Sequence, residues 1–380
     1  MSSKKFKILY VITSLRTGGA EKMITEISRF LIKEGHLVEV LIFDGIRSPL
    51  LNELEDHGVK VYRGGAGYFQ MYNPFHILRI KRLAKKNNYD FIHSHNSSAQ
   101  YFVAFSGAGK YSKLITTEHN TSNRRRKKNI YKFIDRYIYH KYDSVISVSN
   151  KVKRNLLDYL NKKDGSRTNH EKFPVIYNGI DLSKFLTIDK DPVDSPPIIL
   201  MISAFRKQKD HDTAIRAMLY LPEQYKLWLA GEGKTKIGCE KLVRSLNLSG
   251  RIKFLGNVND VPTLISQSKI VILSTKFEGM PLVAIEAMAS GKPFIASDVD
   301  GVKEVTSDAG ILFQKGNYIE LAHKIENLIN SPKEFEIVAK KCRKRALTFD
   351  LSHTLSQHLE LYKRILSRDI NDISFDNLQL

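Results

Sequence analysis

Two short stretches carry residue types and spacings suited to holding an anionic or hydroxyl-rich ligand. The first is Thr17-Gly18-Gly19-Ala20-Glu21. Adjacent glycines let the backbone approach a ligand, and a helix opening here offers free N–H groups with partial positive charge. The spacing is neither Gly-x-Gly-x-x-Gly nor a P-loop, so the dinucleotide and NTPase fingerprints are absent. An ordinary strand-to-helix turn is the alternative. The second stretch runs from Glu278 to Glu286, with Gly279-Met280-Pro281-Leu282-Val283-Ala284-Ile285 between two glutamates. Its setting puts Glu278 in a loop at the carboxyl end of a strand and Glu286 about a turn inside the next helix. The Gly-Met-Pro-Leu amides between them suit a phosphate. Carboxylates accept hydrogen bonds from sugar hydroxyls, so a ribose or hexose next to that phosphate is the occupant such a pair would serve. The bland alternative is a capping glutamate followed by an exposed helical one.

These residues need elements to position them, and the hydrophobic pattern supplies those elements. Apolar runs read as strands at 7–12, 37–43, 60–62, 91–94, 113–118 and 144–148, with amphipathic helices at 21–34, 74–87, 127–142 and 151–159. Unalternated apolar strands separated by helices indicate a parallel sheet covered on both faces. The stretch 161–197 is polar and proline-containing, and reads as a linker. The pattern restarts with strands at 198–202, 225–230, 270–274 and 294–297, a short apolar segment at 252–255, and helices at 210–219, 239–246, 261–267, 282–289 and 319–330. The expectation is an α/β chain of two Rossmann-like, doubly wound parallel-sheet domains facing a shared cleft: 1–185, then 186–350. A C-terminal helix and tail, 351–380, would pack back on either domain. Ligands of such sheets bind at the carboxyl ends of the strands.

Composition narrows the function classes. The chain has 380 residues, 42% hydrophobic and 26% charged, which allows two packed cores. Cys239 and Cys342 stand far apart, which excludes a disulfide framework or a cysteine-rich zinc site and fits a reducing compartment. The strand ends are read as lacking an Asp-x-Asp that would chelate Mg²⁺ or Mn²⁺. The start, MSSKKFKILYVITSL, has a leader's lysines, but its apolar stretch is broken by Thr13 and Ser14 and reads as a first strand. Of the net charge of +20, residues 1–185 carry +17. A basic first half joined to a nearly neutral second half points to an anionic partner for the first half: a membrane surface, nucleic acid, or an acidic or phosphate-linked substrate. Arg124-Arg125-Arg126-Lys127-Lys128 leads into an aromatic amphipathic helix, which suits an anionic membrane surface. The alternative buries Ile130, Phe133, Ile134 and Tyr137 in the core and leaves the cations solvated. Nucleic acid is disfavoured, because no RNP-like, helix-turn-helix or zinc pattern accompanies the charge.

The segment STKFEGMPLVAIEAMASGKPFIASDVDG resembles the signature of the GT-B glycosyltransferases, specifically family 4. The likeness extends in order through TGGAE, HSHNS at 93–97, TEHN at 117–120, VSN at 148–150, VIYNGIDLSKF at 175–185, LAGEG at 229–233 and FLGNVNDVP at 254–262. It implies a retaining enzyme that moves a hexose-type sugar from a nucleotide-diphospho-sugar, with UDP the expected nucleotide, and needs neither cofactor nor obligatory metal. The acceptor would be a saccharide, lipid-linked, in polysaccharide or lipopolysaccharide synthesis. The protein would be cytoplasmic and peripheral at the inner face of the cell membrane.

The resemblance also implies roles for single residues. Glu286 would hold ribose hydroxyls, Glu278 the transferred sugar, and the Gly279, Met280, Pro281 and Leu282 backbone its phosphate or sugar oxygens. Gly231, Glu232, Asn257 and Val258 would border the base. Gly18 and Gly19 would approach the diphosphate and His119 would lie near the sugar, whereas His95, ending a buried strand, reads as structural. In Ser203-Ala204-Phe205-Arg206-Lys207-Gln208-Lys209-Asp210, Lys209 matches the family's diphosphate lysine, but Ala204 stands where the family has arginine. Arg206 or Lys207 is then the substitute cation. Catalysis would rest on Glu278, His119 and Lys209. The alternative on the same fold is a nucleotide-sugar 2-epimerase, which uses no acceptor.

Overall fold

The computed structural model describes residues 4–16, 18–65, 67–119, 130–160, 171–186 and 196–376. The chain forms two units, Met1–Asn178 with Ser352–Leu380, and Gly179–Leu351.

The first unit is built on a parallel sheet of β1 (Lys7–Ile12), β2 (Leu37–Ile42), β3 (Lys60–Arg63), β4 (Phe91–His95), β5 (Lys113–Glu118) and β6 (Ser144–Ser147). The strand order is β3-β2-β1-β4-β5-β6. Its central strands are apolar without alternation because helices cover both faces: Ile8 to Ile12 and all of β4 are buried. The helix Gly19–Lys33 turns Met23, Ile24, Ile27 and Leu31 inward, the spacing of one apolar stripe.

The helix Leu351–Asp376 brings the chain back to this first unit. Leu351, Leu355, His358, Tyr362 and Ile365 are buried along one stripe. Tyr362 stacks on Phe91 of β4 at 4.5 Å between ring centroids, and Thr354 donates to the Tyr177 carbonyl at 2.8 Å.

The second unit repeats the plan with β7 (Ile198–Ile202), β8 (Lys226–Ala230), β9 (Ile252–Gly256), β10 (Ile270–Leu273), β11 (Phe294–Ser297) and β12 (Ile311–Phe313). The order is β12-β11-β10-β7-β8-β9, all parallel.

Several elements escape the periodicity. The helix Ser97–Phe105 is built of small and apolar residues and buries Ala99, Gln100, Val103 and Ala104, so it shows little polar face. The helix Asp300–Thr306 and strand β12 are too short to register, and the helices Pro49–Asp56 and Pro332–Ala346 are not among the expected elements either. The expected helix at 127–142 is described as Ile130–His140.

Candidate functional site

In each sheet the strand order reverses at one place, β1/β4 in the first unit and β7/β10 in the second. Loops diverge there at the carboxyl ends and leave a crevice. In the second unit the loops after β7 and β10 are the two that carry Lys209 and Glu278.

These loops are bonded together. Lys209 Nζ lies 2.6 Å from Glu278 Oε1, and the same oxygen accepts from Thr275 Oγ1 at 2.8 Å. Gln208 donates from its side chain to the Phe277 carbonyl at 2.6 Å, and its own carbonyl accepts from Lys276 N at 2.8 Å. Ser274 Oγ donates to the Asp210 carbonyl at 3.0 Å, and Thr275 N to Ser297 Oγ at 2.9 Å. Glu278, Gly279, Met280, Pro281 and Leu282 are all buried, as is Glu286 in the helix Leu282–Ala289. Arg206 and Lys207, in contrast, are exposed.

A glycine missed as a site residue holds this loop from behind. Gly301 opens onto the backbone of Glu278 and Gly279, and a Cβ there would overlap both carbonyl oxygens. It ends the quoted signature segment, but close backbone approach has no sequence signal of its own. On the other side, Gly231 follows β8 with φ +135°, and a Cβ would overlap the Ser203 carbonyl. That contact brings the β8 loop against the β7 loop. Glu232 is exposed and pairs with Lys236 at 2.6 Å, Asn257 is exposed, and Val258 is half-buried after β9.

One strand end does hold an Asp-x-Asp pair, against the expectation of none, and a second pair stands at a helix start. Asp298-Val299-Asp300 follows β11 directly, and Asp210-His211-Asp212 opens the helix after β7. Asp298 pairs with Lys303 at 2.8 Å, and Asp210 accepts from Thr213 Oγ1 at 2.8 Å. Among the described residues no three His, Cys, Asp or Glu side chains form a group that could hold a metal ion.

In the first unit Gly18 and Gly19 are exposed at the start of the helix after β1. Next to them at the β1/β4 reversal, β4 ends in His95. His95 Nδ1 lies 2.9 Å from His119 Nε2, just beyond β5. His93 stacks on His95 at 4.4 Å and bonds Tyr362 OH at 3.0 Å and Thr117 Oγ1 at 2.8 Å. Burial depresses all of these imidazoles: His93 and His95 well below the usual range, His119 and His358 to about 4. They are neutral at physiological pH. His95, read as structural, is therefore directly joined to the residue expected near the sugar.

The Arg124–Lys128 cluster (residues 124–128) lies outside the described residues. The helix after it presents Phe133 and Tyr137 outward, 74% and 50% exposed, while Asp135, Ile138 and Tyr139 are buried. Phe133 and Tyr137 therefore do not face the core.

Two family models match the chain, Glycosyltransferase Family 4 over residues 17–184 and Glycosyl transferases group 1 over 186–346. The chain belongs to the family 4 glycosyltransferases.

Two relatives match nearly all of this glycosyltransferase at low identity. A Campylobacter jejuni enzyme, GalNAc-alpha-(1->4)-GalNAc-alpha-(1->3)-diNAcBac-PP-undecaprenol alpha-1,4-N-acetyl-D-galactosaminyltransferase, is 25% identical over 94% of this chain and 99% of its own. The N-acetyl-alpha-D-glucosaminyl L-malate synthase of Bacillus anthracis is 24% identical over 93% of this chain and 96% of its own. Among solved structures, Anabaena HepE in complex with UDP-glucose shares the fold, with TM-score 0.80 and 21% identity over 96% of this chain and 100% of that one. A glycosyltransferase from Rickettsia africae has TM-score 0.77 and 25% identity over 95% of this chain and 99% of that one. The glycosyltransferase is a GT-B protein.

Proposed function

We propose that this glycosyltransferase moves a hexose-type sugar from a UDP-sugar to a saccharide carried on a lipid diphosphate, with retention of configuration. The observation that carries the donor reading is the knot of Lys209, Thr275 and Glu278 at the β7/β10 reversal, beside the buried Glu286. In this reading Glu286 takes the ribose hydroxyls, Glu278 the transferred sugar, and the 279–282 backbone its oxygens. Lys209 turns from Glu278 toward the diphosphate, supported by exposed Arg206 or Lys207 in place of the arginine that Ala204 replaces. Fixed cations and amides aimed at the departing phosphate stabilise its charge in the transition state, so no metal is obligatory. His119 donates a hydrogen bond to the sugar. The acceptor hydroxyl attacks from the face the phosphate leaves, the C1–O bond to phosphate breaks as the new C1–O bond forms, and the phosphate oxygen takes the hydroxyl proton. A trapped covalent glycosyl-enzyme would overturn this course.

HepE holds UDP-glucose, so UDP-sugars are the donors to test first. The Campylobacter relative's name specifies an undecaprenol diphosphate, which supports a lipid diphosphate as acceptor carrier. The membrane face we assign spans three neighbouring helices. Phe75 and Leu78 on Phe75–Asn87, Phe105 on Ser97–Phe105, and Phe133 and Tyr137 on Ile130–His140 are all exposed, among exposed Lys81, Arg82, Lys85, Lys86 and Arg136. Aromatics beside cations suit an anionic interface. No helix among the described residues is long and apolar enough to cross a membrane.

A thermal-shift and hydrolysis screen of UDP-, GDP-, ADP- and CMP-sugars with EDTA present tests the donor reading. Stabilisation and slow sugar release by one nucleotide-sugar, both lost in Glu286→Ala and Lys209→Ala, is the expected result. Indifference to every nucleotide would refute it, and conversion of the free donor to its 2-epimer would favour the epimerase.

A further inference from the structure

His95 and His119 share one hydrogen bond, 2.9 Å between Nδ1 and Nε2, and the direction of that bond has a chemical consequence. Each neutral imidazole has one N–H donor and one lone-pair acceptor, so one ring donates to the other. The rest of His95 decides which. Its Nε2 is buried with no hydrogen-bond partner. The ring is held in place by His93, stacked at 4.4 Å, and by Tyr10, with its centroid 5.7 Å away. His93 is itself fixed from both ends by Tyr362 and Thr117.

If His119 donated, His95 would carry its proton on Nε2, sealed from water with nothing to accept it. A buried unsatisfied donor costs about 1–3 kcal/mol, and buried N–H groups without partners are rarer than unsatisfied acceptors. If His95 donates from Nδ1, its Nε2 is a bare lone pair, and His119 Nε2 is the acceptor. His119 must then carry its proton on Nδ1. That N–H is then the one ring donor His119 has left for a ligand, and the residue is half-buried just beyond β5.

We propose that His95 is a positioning residue that holds His119 as the Nδ1–H tautomer, so that His119 meets the transferred sugar as a hydrogen-bond donor and not as an acceptor. The contact with sugar rests on the function proposed above; the tautomer does not. A donor at this point favours an oxygen with free lone pairs, such as a sugar hydroxyl or ring oxygen, and gives nothing to a cationic amino group.

The test is long-range ¹H–¹⁵N correlation on the full-length protein carrying ¹⁵N-labelled histidine, with His119 assigned by its loss in His119→Gln. The expected pattern places the proton on His119 Nδ1. In His95→Leu nothing donates to Nε2, so the tautomer is no longer enforced and the Nδ1–H population should fall below that of the unaltered protein. In His95→Asn, whose side-chain amide can donate from nearly the same position, the proton should stay on Nδ1. Kinetics supply the second readout. Losing one oriented hydrogen bond should lower kcat for sugar release roughly ten-fold in His95→Leu with donor KM little changed, and His95→Asn should recover most of that loss. A proton on His119 Nε2 in the unaltered protein overturns the proposal, as does a His95→Asn protein with the proton moved and kcat as low as in His95→Leu. The expected tautomer in a protein that binds no nucleotide-sugar would uphold the dyad and count against the donor function.

Discussion

Lys209 and Glu278 come from loops 69 residues apart in sequence and meet at 2.6 Å, with the carboxylate almost fully buried and the ammonium partly so. Thr275 bonds the same carboxylate oxygen. The pair closes the β7 loop onto the β10 loop, so the lysine proposed to serve phosphate also holds in place the carboxylate proposed to bind the sugar. Donor binding would then exchange one partner of Lys209 for another.

Removing one member should cost more than removing both. Lys209→Met leaves a buried carboxylate without its cation and is expected to destabilise the second unit by about 1–3 kcal/mol. Lys209→Met with Glu278→Gln should recover part of that. Urea unfolding of the four proteins in a double-mutant cycle gives the coupling, and strict additivity would mean the pair contributes nothing.

Gly301 faces backbone, so its neighbours cannot swing aside. Gly301→Ala should push the 278–279 loop outward, with a stability loss of about 1–3 kcal/mol. Weakened donor-induced thermal stabilisation should accompany it. Gly238→Ala, in a helix where an added Cβ meets nothing, is the control and should keep both.

Acid should destabilise both units. Burial holds His358 in the first unit and His211 in the second at about 4, against 6.5 when unfolded. The unfolded chain therefore binds more protons than the native one between those values. Stability from these residues is complete above 6.5 and falls as pH drops toward 4, by about 1.4 kcal/mol per pH unit per histidine. Melting temperatures measured from neutral pH downward should fall through that window. Replacing His211 with Asn should flatten the second unit's share.

Exposed aromatics allow a test of the membrane face without disturbing the fold. Phe133→Ser and Phe75→Ser change side chains that are 74% and 72% exposed, so stability should shift by no more than about 0.5 kcal/mol. Sedimentation with anionic vesicles at low salt should nevertheless drop clearly in the double variant. Equal sedimentation by native and variant proteins would remove these helices from the interface.

Much of this glycosyltransferase is legible in its sequence, because the features concerned are local. Unalternated strands such as Lys7–Ile12 and Ile270–Leu273 require burial on both faces, and the restart at 198 marks a second sheet. The Glu278–Glu286 spacing places one carboxylate in a loop and one in a helix. What stayed hidden depends on approach between distant segments. Nothing at 204–210 announces that Lys209 will find Glu278, because strand order, and not sequence distance, makes the β7 and β10 loops neighbours. Gly301 carries no signal of its own until the Glu278 carbonyl is set against it. His95 looked like a strand-end histidine, because its meaning lies in His119, 24 residues on, and in an Nε2 that packing left without a partner. Periodicity is written into each segment by its own side chains. Hydrogen bonds across loops exist only once the sheets have ordered those segments in space.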